Sequence, residues 1–141
     1  MLVWGITNPE GVDSESSIYL TKKDIGEMAA QIDRAITQGE PIPVKIEHAG
    51  VDIGRVLSAW EYNGELQCLL QLNENVLEGS FGSEFVRQGL VKDLSLGYDV
   101  ELQNSKSNVT VKKKYVKEIS IVKKGARRRC HIMGLHNQKK S

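Results

Sequence analysis

The dipeptide Asn63-Gly64 constrains what this chain can fold into more than any other pair of residues in it. It lies between two runs rich in β-forming residues, 53–62 and 65–72. A two-residue hairpin loop needs positive φ at both central positions to match the twist of its strands, and Asn-Gly accepts this most readily. The chain is therefore expected to double back here as an antiparallel pair. Other segments read as further strands around it. Met1 to Ile6 is a short buried strand, and Pro43 to Glu47 is a strand that ends at His48-Ala49-Gly50. Val91 to Glu101 and Val109 to Val122 form a second hairpin across the polar loop 104–108, and Arg129 to Leu135 is the last strand.

Between the first two strands lies a loop over 7–17, with Pro9, Gly11, Asp13 and several serines, then a brief apolar anchor, Ile18-Tyr19-Leu20. Thr21 and Asp24 have the spacing of a capping box, in which the N-cap side chain and an acid three residues on satisfy each other's N–H groups. Ile25, Met28, Ala29, Ile32 and Ile36 follow at the three-four spacing of one apolar helix face. Gly39 ends the helix, and Pro41 and Pro43 keep the next residues extended. Phe81 to Gly89 reads as a short helix or turn, packed through Phe81, Phe85 and Val86. The sum is mainly β with packed helices: about seven strands in a barrel or sandwich. A chain of 141 residues is long enough for one domain that buries roughly 68–70% of its unfolded surface. The domain is expected over 1–136, with 137–141 as a frayed tail.

Several function classes are disfavoured. No apolar run approaches the roughly 18 residues of a membrane span, and the first residues lack the basic and apolar regions of a secretory signal. Cys68 and Cys130 read as two free thiols. They and the three histidines lack the close ligand pairs of a structural zinc site, although His131 adjoins Cys130. There is no P-loop, dinucleotide glycine pattern or G-x-S-x-G elbow, so neither metal nor cofactor is expected. Charge is uneven: residues 106–141 hold twelve of the nineteen Lys and Arg but one of the eighteen acids, Glu118. The first three quarters thus carry about −10 and the last quarter about +11, which one fold would largely cancel.

Three stretches carry candidate chemistry: Pro43-Val44-Lys45-Ile46-Glu47-His48, Asp93-Leu94-Ser95-Leu96-Gly97-Tyr98-Asp99 and Lys117-Glu118-Ile119-Ser120-Ile121-Val122. A serine hydroxyl needs a general base within hydrogen-bond reach, and that base needs a third group to fix its tautomer. His48 suits the base, because it ends a strand at a glycine-containing loop; His131 sits in a strand and His136 in the tail. Ser58, Ser95 and Ser120 lie in strands, and Ser95 stands out because Gly97 leaves its face of the strand open. Asp93, Asp99 and Glu118 are candidates for the third group. Asp99 lies roughly 13 Å from Ser95 along an extended strand, too far for the task. If paired residue numbers in the second hairpin sum to about 211, Ser95 faces Val116 and Glu118 lies one same-face step away. Glu118 could equally be a counterion for Lys117 or Lys123. Gly125, with Arg127 and Arg128 beside it, could hold an oxyanion, or form a solvated basic turn or phosphate-binding patch.

Taken together, the motifs resemble the herpesvirus capsid maturation proteases, the assemblins. Val3-Trp4-Gly5 resembles the family's opening strand, and Ile18-Tyr19-Leu20-Thr21-Lys22-Lys23-Asp24 its entry to the first helix. His48, with Ile53-Gly54-Arg55-Val56 after it, resembles the base-histidine segment, and Glu65-Leu66-Gln67-Cys68 the next strand. Leu94-Ser95-Leu96 resembles the nucleophile motif. The 117–122 stretch, followed by Gly125 and Arg127-Arg128-Arg129, resembles the last catalytic strand and the Arg-rich oxyanion loop. The family has a second histidine where this chain has Glu118. Tailed-phage prohead proteases, which share the fold, use an acid there, with a Lys-Glu-Ile-Ser-like strand. The chain is also shorter than assemblins before Ser95 and after Arg129.

The resemblance implies an antiparallel β-barrel of about seven strands and a serine endopeptidase with catalytic Ser95, His48 and Glu118. Gly125, Arg127 and Arg128 would hold the oxyanion. It implies a capsid scaffold protein as substrate, a homodimer, synthesis as part of a protease–scaffold precursor that also cleaves itself, and no membrane or nucleic-acid partner. Its place would be inside the host cell within assembling capsids, nuclear if herpesvirus-like and cytoplasmic if phage-like. The competing expectation is a catalytically inactive barrel that binds a partner or nucleic acid through the basic segment 112–129.

Overall fold

The computed structural model of the chain describes residues 1–12, 19–104, 109–126 and 129–137. Among these the order is β1 (Leu2–Pro9), β2 (Gly11–Val12), β3 (Tyr19–Leu20), α1 (Lys22–Thr37), β4 (Pro43–Ile46), β5 (Ala49–Tyr62), β6 (Glu65–Leu72), α2 (Leu77–Arg87), β7 (Asp93–Asn104), β8 (Val109–Val122) and β9 (Ile132–His136). The Asn63-Gly64 turn forms as its residues dictate, with φ of 50° and 79°, and pairs Tyr62 with Glu65. Seven strands form one sheet in the order β7-β8-β4-β5-β6-β1-β9, while β2 and β3 pair separately.

Two features correct the expected antiparallel barrel. First, the sheet is mixed. β4 inserts between β5 and β8 and runs parallel to β8, with Val44 opposite Ile119 and Ile46 opposite Ile121. Local patterns announce hairpins, but a parallel pairing between segments this far apart in the chain leaves no local signal. Second, the sheet is not closed. The start of the end strand β7 meets the residue just before β9 at an isolated bridge, Asp93 to His131, flanked by bonds from Leu94 N to Cys130 O (3.0 Å) and from Ile132 N to Lys92 O (2.9 Å). β9 is five residues long and lies along β1, so it cannot continue a ladder down the twelve residues of β7.

Boundaries shift as well. β1 runs on through Thr7 and Asn8, expected as loop: Thr7 falls at a bulge in the ladder with β6, Asn8 pairs with Leu66, and both are buried. β5 begins at Ala49 rather than Ile53. The second hairpin is β7 and β8, whose connecting residues 105–108 lie outside the described residues.

The capping box at Thr21 is present in full: Asp24 N donates to Thr21 Oγ1 (3.1 Å), and Thr21 N donates to Asp24 Oδ2 (2.9 Å). Ile25, Met28, Ala29 and Ile32 are buried, and α1 packs on β5, β6 and β8. Its polar flank stitches it to β8. Gln31 accepts from Val116 N (2.6 Å) and donates to Lys114 O (3.0 Å), engaging a stretch of β8 that β4 does not reach. α2 turns Gly79, Gly82, Ser83 and Val86 inward. Phe81, expected to be packed, is half exposed and stacks on Phe85 with ring centroids 6.5 Å apart.

The acidic and basic parts of the chain do meet. Lys114 Nζ lies 2.6 Å from Asp24 Oδ1 and 2.5 Å from Glu27 Oε2, Lys117 pairs with Asp99 at 3.1 Å, and Arg129 with Glu65 at 3.7 Å. Burial alone works to raise the Asp24 pKa, but hydrogen bonds from Lys114 and Thr21 outweigh it and hold the carboxyl below its ordinary range. Burial likewise opposes the Lys114 charge, and the hydrogen bonds to Asp24 and Glu27 outweigh it, holding the ammonium above its ordinary range.

Candidate active site

The β7–β8 register sets the floor of the site. Asp93 pairs with Val122, Ser95 with Ser120 and Gly97 with Glu118, so paired residue numbers sum to 215 rather than about 211. The difference of four residues is even. In a ladder whose side chains alternate faces, an even slip leaves every side chain on its original face. Ser95, Gly97, Glu118 and Ser120 therefore form a square on one face of the sheet, with Ser95 and Glu118 on its diagonal. A diagonal pair is about 7–8 Å apart, too far for a direct bond but within reach of a side chain laid between them.

That side chain is His48. It sits in the two-residue turn Glu47-His48, which joins β4 to β5 with Ile46 opposite Ala49. Both turn residues have positive φ, 51° and 60°. The parallel pairing of β4 with β8 brings this turn over the square. His48 Nε2 lies 2.8 Å from Ser95 Oγ, and His48 Nδ1 is hydrogen-bonded to Glu118 Oε1. Glu118 and Ser95 are buried, whereas 41% of the His48 side chain is exposed, so the imidazole forms the open lip of a covered polar chain.

Gly97 makes room for the acid, since a Cβ there would overlap the Glu118 carboxylate. The opening that Gly97 leaves in the strand is thus filled from β8. Lys117 is paired with Asp99, and Glu118 turns to His48. The arrangement can draw the Ser95 proton onto Nε2 while the carboxylate holds a proton on Nδ1.

Two residues at the site escaped the sequence reading. Ser120 Oγ donates to Glu118 Oε2 (2.7 Å) and accepts from His48 N (2.9 Å). Glu47 Oε1 accepts from Lys123 N (2.6 Å), and Glu47 N donates to Ile121 O (3.1 Å), fastening the turn to the end of β8. The two-residue spacing of Glu118 and Ser120, which puts both on one strand face, was the available signal for Ser120. Glu47 had none.

The other candidates lie elsewhere. Asp93 accepts from Gly125 N at 2.9 Å and contacts His131 Nδ1 at 2.9 Å. Gly125 thus directs its N–H to Asp93, and Arg127 and Arg128 lie outside the described residues. His136 is exposed near the end of the described chain. Cys68 and Cys130 are buried thiols outside any disulfide; Cys130 Sγ donates to Thr7 O (3.3 Å), and burial pushes the Cys68 thiol well up. Among the described residues no group of three or more His, Cys, Asp or Glu side chains could hold a metal, and no helix is long and apolar enough to cross a membrane.

No protein-family model matches the chain, and no curated protein sequence does. Solved structures do. A room-temperature crystal structure of Kaposi's sarcoma-associated herpesvirus protease with an allosteric inhibitor aligns with a TM-score of 0.55 at 14% identity, covering 94% of this chain and 76% of that one. A second complex of that protease with an allosteric inhibitor gives 0.52 at 17% identity, over 93% and 74% of the two chains. A third, with a dimer disruptor, gives 0.51 at 13%, over 93% and 73%. The chain has a herpesvirus-protease-like fold. At these identities the likeness is one of fold, and the chemistry rests on the side chains described above.

Proposed function

We propose that the chain is a serine endopeptidase with a Ser95-His48-Glu118 triad. The observation that carries this reading is the single imidazole hydrogen-bonded on one side to a buried hydroxyl and on the other to a buried carboxylate. Ser95 Oγ attacks the scissile carbonyl as Nε2 takes its proton. Glu118 holds Nδ1–H and stabilises the imidazolium, which then protonates the leaving amine. Water, activated by the same imidazole, releases the acyl group. Oxyanion binding falls to the loop of Gly125, Arg127 and Arg128, for which Gly125 N–H must exchange Asp93 for the oxyanion.

The fold and the motif order favour a capsid scaffold or assembly protein as substrate, cut between a small residue such as alanine and a serine. The same reading includes self-cleavage from a precursor, action within assembling viral capsids or proheads, and a homodimer. A fluorophosphonate probe tests the chemistry. The folded protein should be labelled, and Ser95→Ala should lose the label together with about 10⁶ in kcat. Equal labelling of the variant, or none of the folded wild type, rejects the proposal. An unlabelled protein that binds DNA in a salt-dependent way would instead favour an inactive, basic-surfaced binding module.

A further inference from the structure

We infer that Ser120 is a positioning residue for this site, fixing the acid and the base through one hydroxyl. The inference rests on the triad reading and adds to it a fourth side chain. Ser120 faces Ser95 directly across the β7–β8 ladder and is fully buried. It gives its hydroxyl proton to Glu118 Oε2 (2.7 Å) and receives the amide hydrogen of His48 (2.9 Å).

The direction of both bonds is forced. A backbone N–H can only donate and an ionised carboxylate can only accept, so the hydroxyl hydrogen must point at Glu118. The bonds close a ring: His48 N to Ser120, Ser120 to Glu118, and Glu118 back to the His48 imidazole. Each Glu118 oxygen then has its own donor, which stops the carboxylate from rotating away from Nδ1. His48 is held at two points, backbone and ring, and both tethers come from β8. The turn that carries the base and the strand that carries the acid are thereby in register with Ser95 before any substrate arrives.

Without the Ser120 bond the carboxylate can turn from Nδ1 and the imidazolium loses its anionic partner, so the His48 titration midpoint falls. The other charged groups around the turn are Lys45 and Asp52 on its arms, Glu47 within it and Lys123 after β8. They are common to every variant below.

The experiment compares wild type with Ser120→Ala and Ser120→Thr in the full chain. It measures the second-order rate of fluorophosphonate labelling, the His48 midpoint by NMR titration, and thermal melting. Ser120→Ala should label about 10²-fold more slowly, the scale of loss for an ångström of misplacement, with a downward-shifted midpoint. Ser120→Thr, which keeps the hydroxyl, should restore both. A folded Ser120→Ala with an unchanged rate overturns the inference. So does a slower rate with an unmoved midpoint, or a threonine variant as slow as alanine. If Ser120→Ala does not fold, Ser120→Cys, a weaker donor, should lie between wild type and the expected alanine values, and wild-type values there overturn it. A wild type that never labels defeats the protease reading instead, and the His48 midpoint still tests the Ser120 tether.

Discussion

The molecule contains two tight turns with nearly the same backbone and opposite logic. Asn63-Gly64 joins β5 to β6 with φ of 50° and 79°, and Glu47-His48 joins β4 to β5 with φ of 51° and 60°. At the first, residue type satisfies the backbone. Asparagine and glycine tolerate positive φ, and the turn is completed locally by Gly64 N donating to Glu61 Oε2 at 3.0 Å. At the second, glutamate and histidine occupy a left-handed conformation that costs about 1–2 kcal/mol per residue. Four hydrogen bonds hold it, and all reach β8 or the residue after it: Glu47 N to Ile121 O, Lys123 N to Glu47 Oε1, His48 N to Ser120 Oγ, and the His48 ring to Glu118. At about 0.5–1.5 kcal/mol net for each, with more for those to charged groups, they can offset the strain. One turn therefore shapes the sheet, while the other is held by the sheet so that an imidazole stands at a set place.

Substitutions at matched positions can break that comparison. The largest effect is expected from His48→Ala, which should lower kcat by about 10⁶ while the protein still folds, checked by peptide hydrolysis and thermal melting. A folded His48→Ala with wild-type turnover would show that the strained turn has no catalytic purpose. Gly97→Ala sharpens the contrast from below the turn. Its Cβ would displace the Glu118 carboxylate, and kcat should fall by about 10²-fold.

Gly64→Ala is the matched change at the other turn. It forces a side chain onto positive φ and against the Glu10 carboxylate. Denaturant unfolding should show a loss of about 1–3 kcal/mol, with kcat unchanged. A large fall in kcat in this variant would mean that the two turns are not functionally separate.

The smallest effect concerns an earlier stretch of β8, where Lys114 is paired with Asp24 and Glu27 of α1. The folded pKa of Asp24 lies below its ordinary value of 3.8. Its contribution to stability is therefore complete above that value and is lost as pH falls through the folded pKa. The folded pKa of Lys114 lies above 10.5, so its contribution is complete below that value and is lost as pH rises through the folded pKa. Thermal melts across pH should lose this seam only at the two extremes, and Asp24→Asn should flatten the acid side.

Much of the architecture was legible because its determinants are local. Asn63-Gly64 encodes its own turn, Thr21 and Asp24 their own cap, and the Ile25–Ile32 spacing its own buried face. The polar residues of the site were legible as types and as order along the chain. Their alignment was legible only modulo two, because alternation reports the face of a strand but not its register. That is why a register four residues away still left Ser95 and Glu118 on one face.

The sequence by itself thus determined a mainly β chain with a capped helix, one strong hairpin, and a histidine, a serine and an acid on three strand-like segments. Tertiary structure decided that β4 runs parallel to β8 and that the sheet stays open. It also decided that Glu47-His48 is a turn, and that Ser120 and Gly97 fit around Glu118. The physical reason is range. Propensity and capping act within a few residues, whereas these features depend on bonds between β4 or the turn that follows it and the end of β8, seventy or more residues apart in the chain.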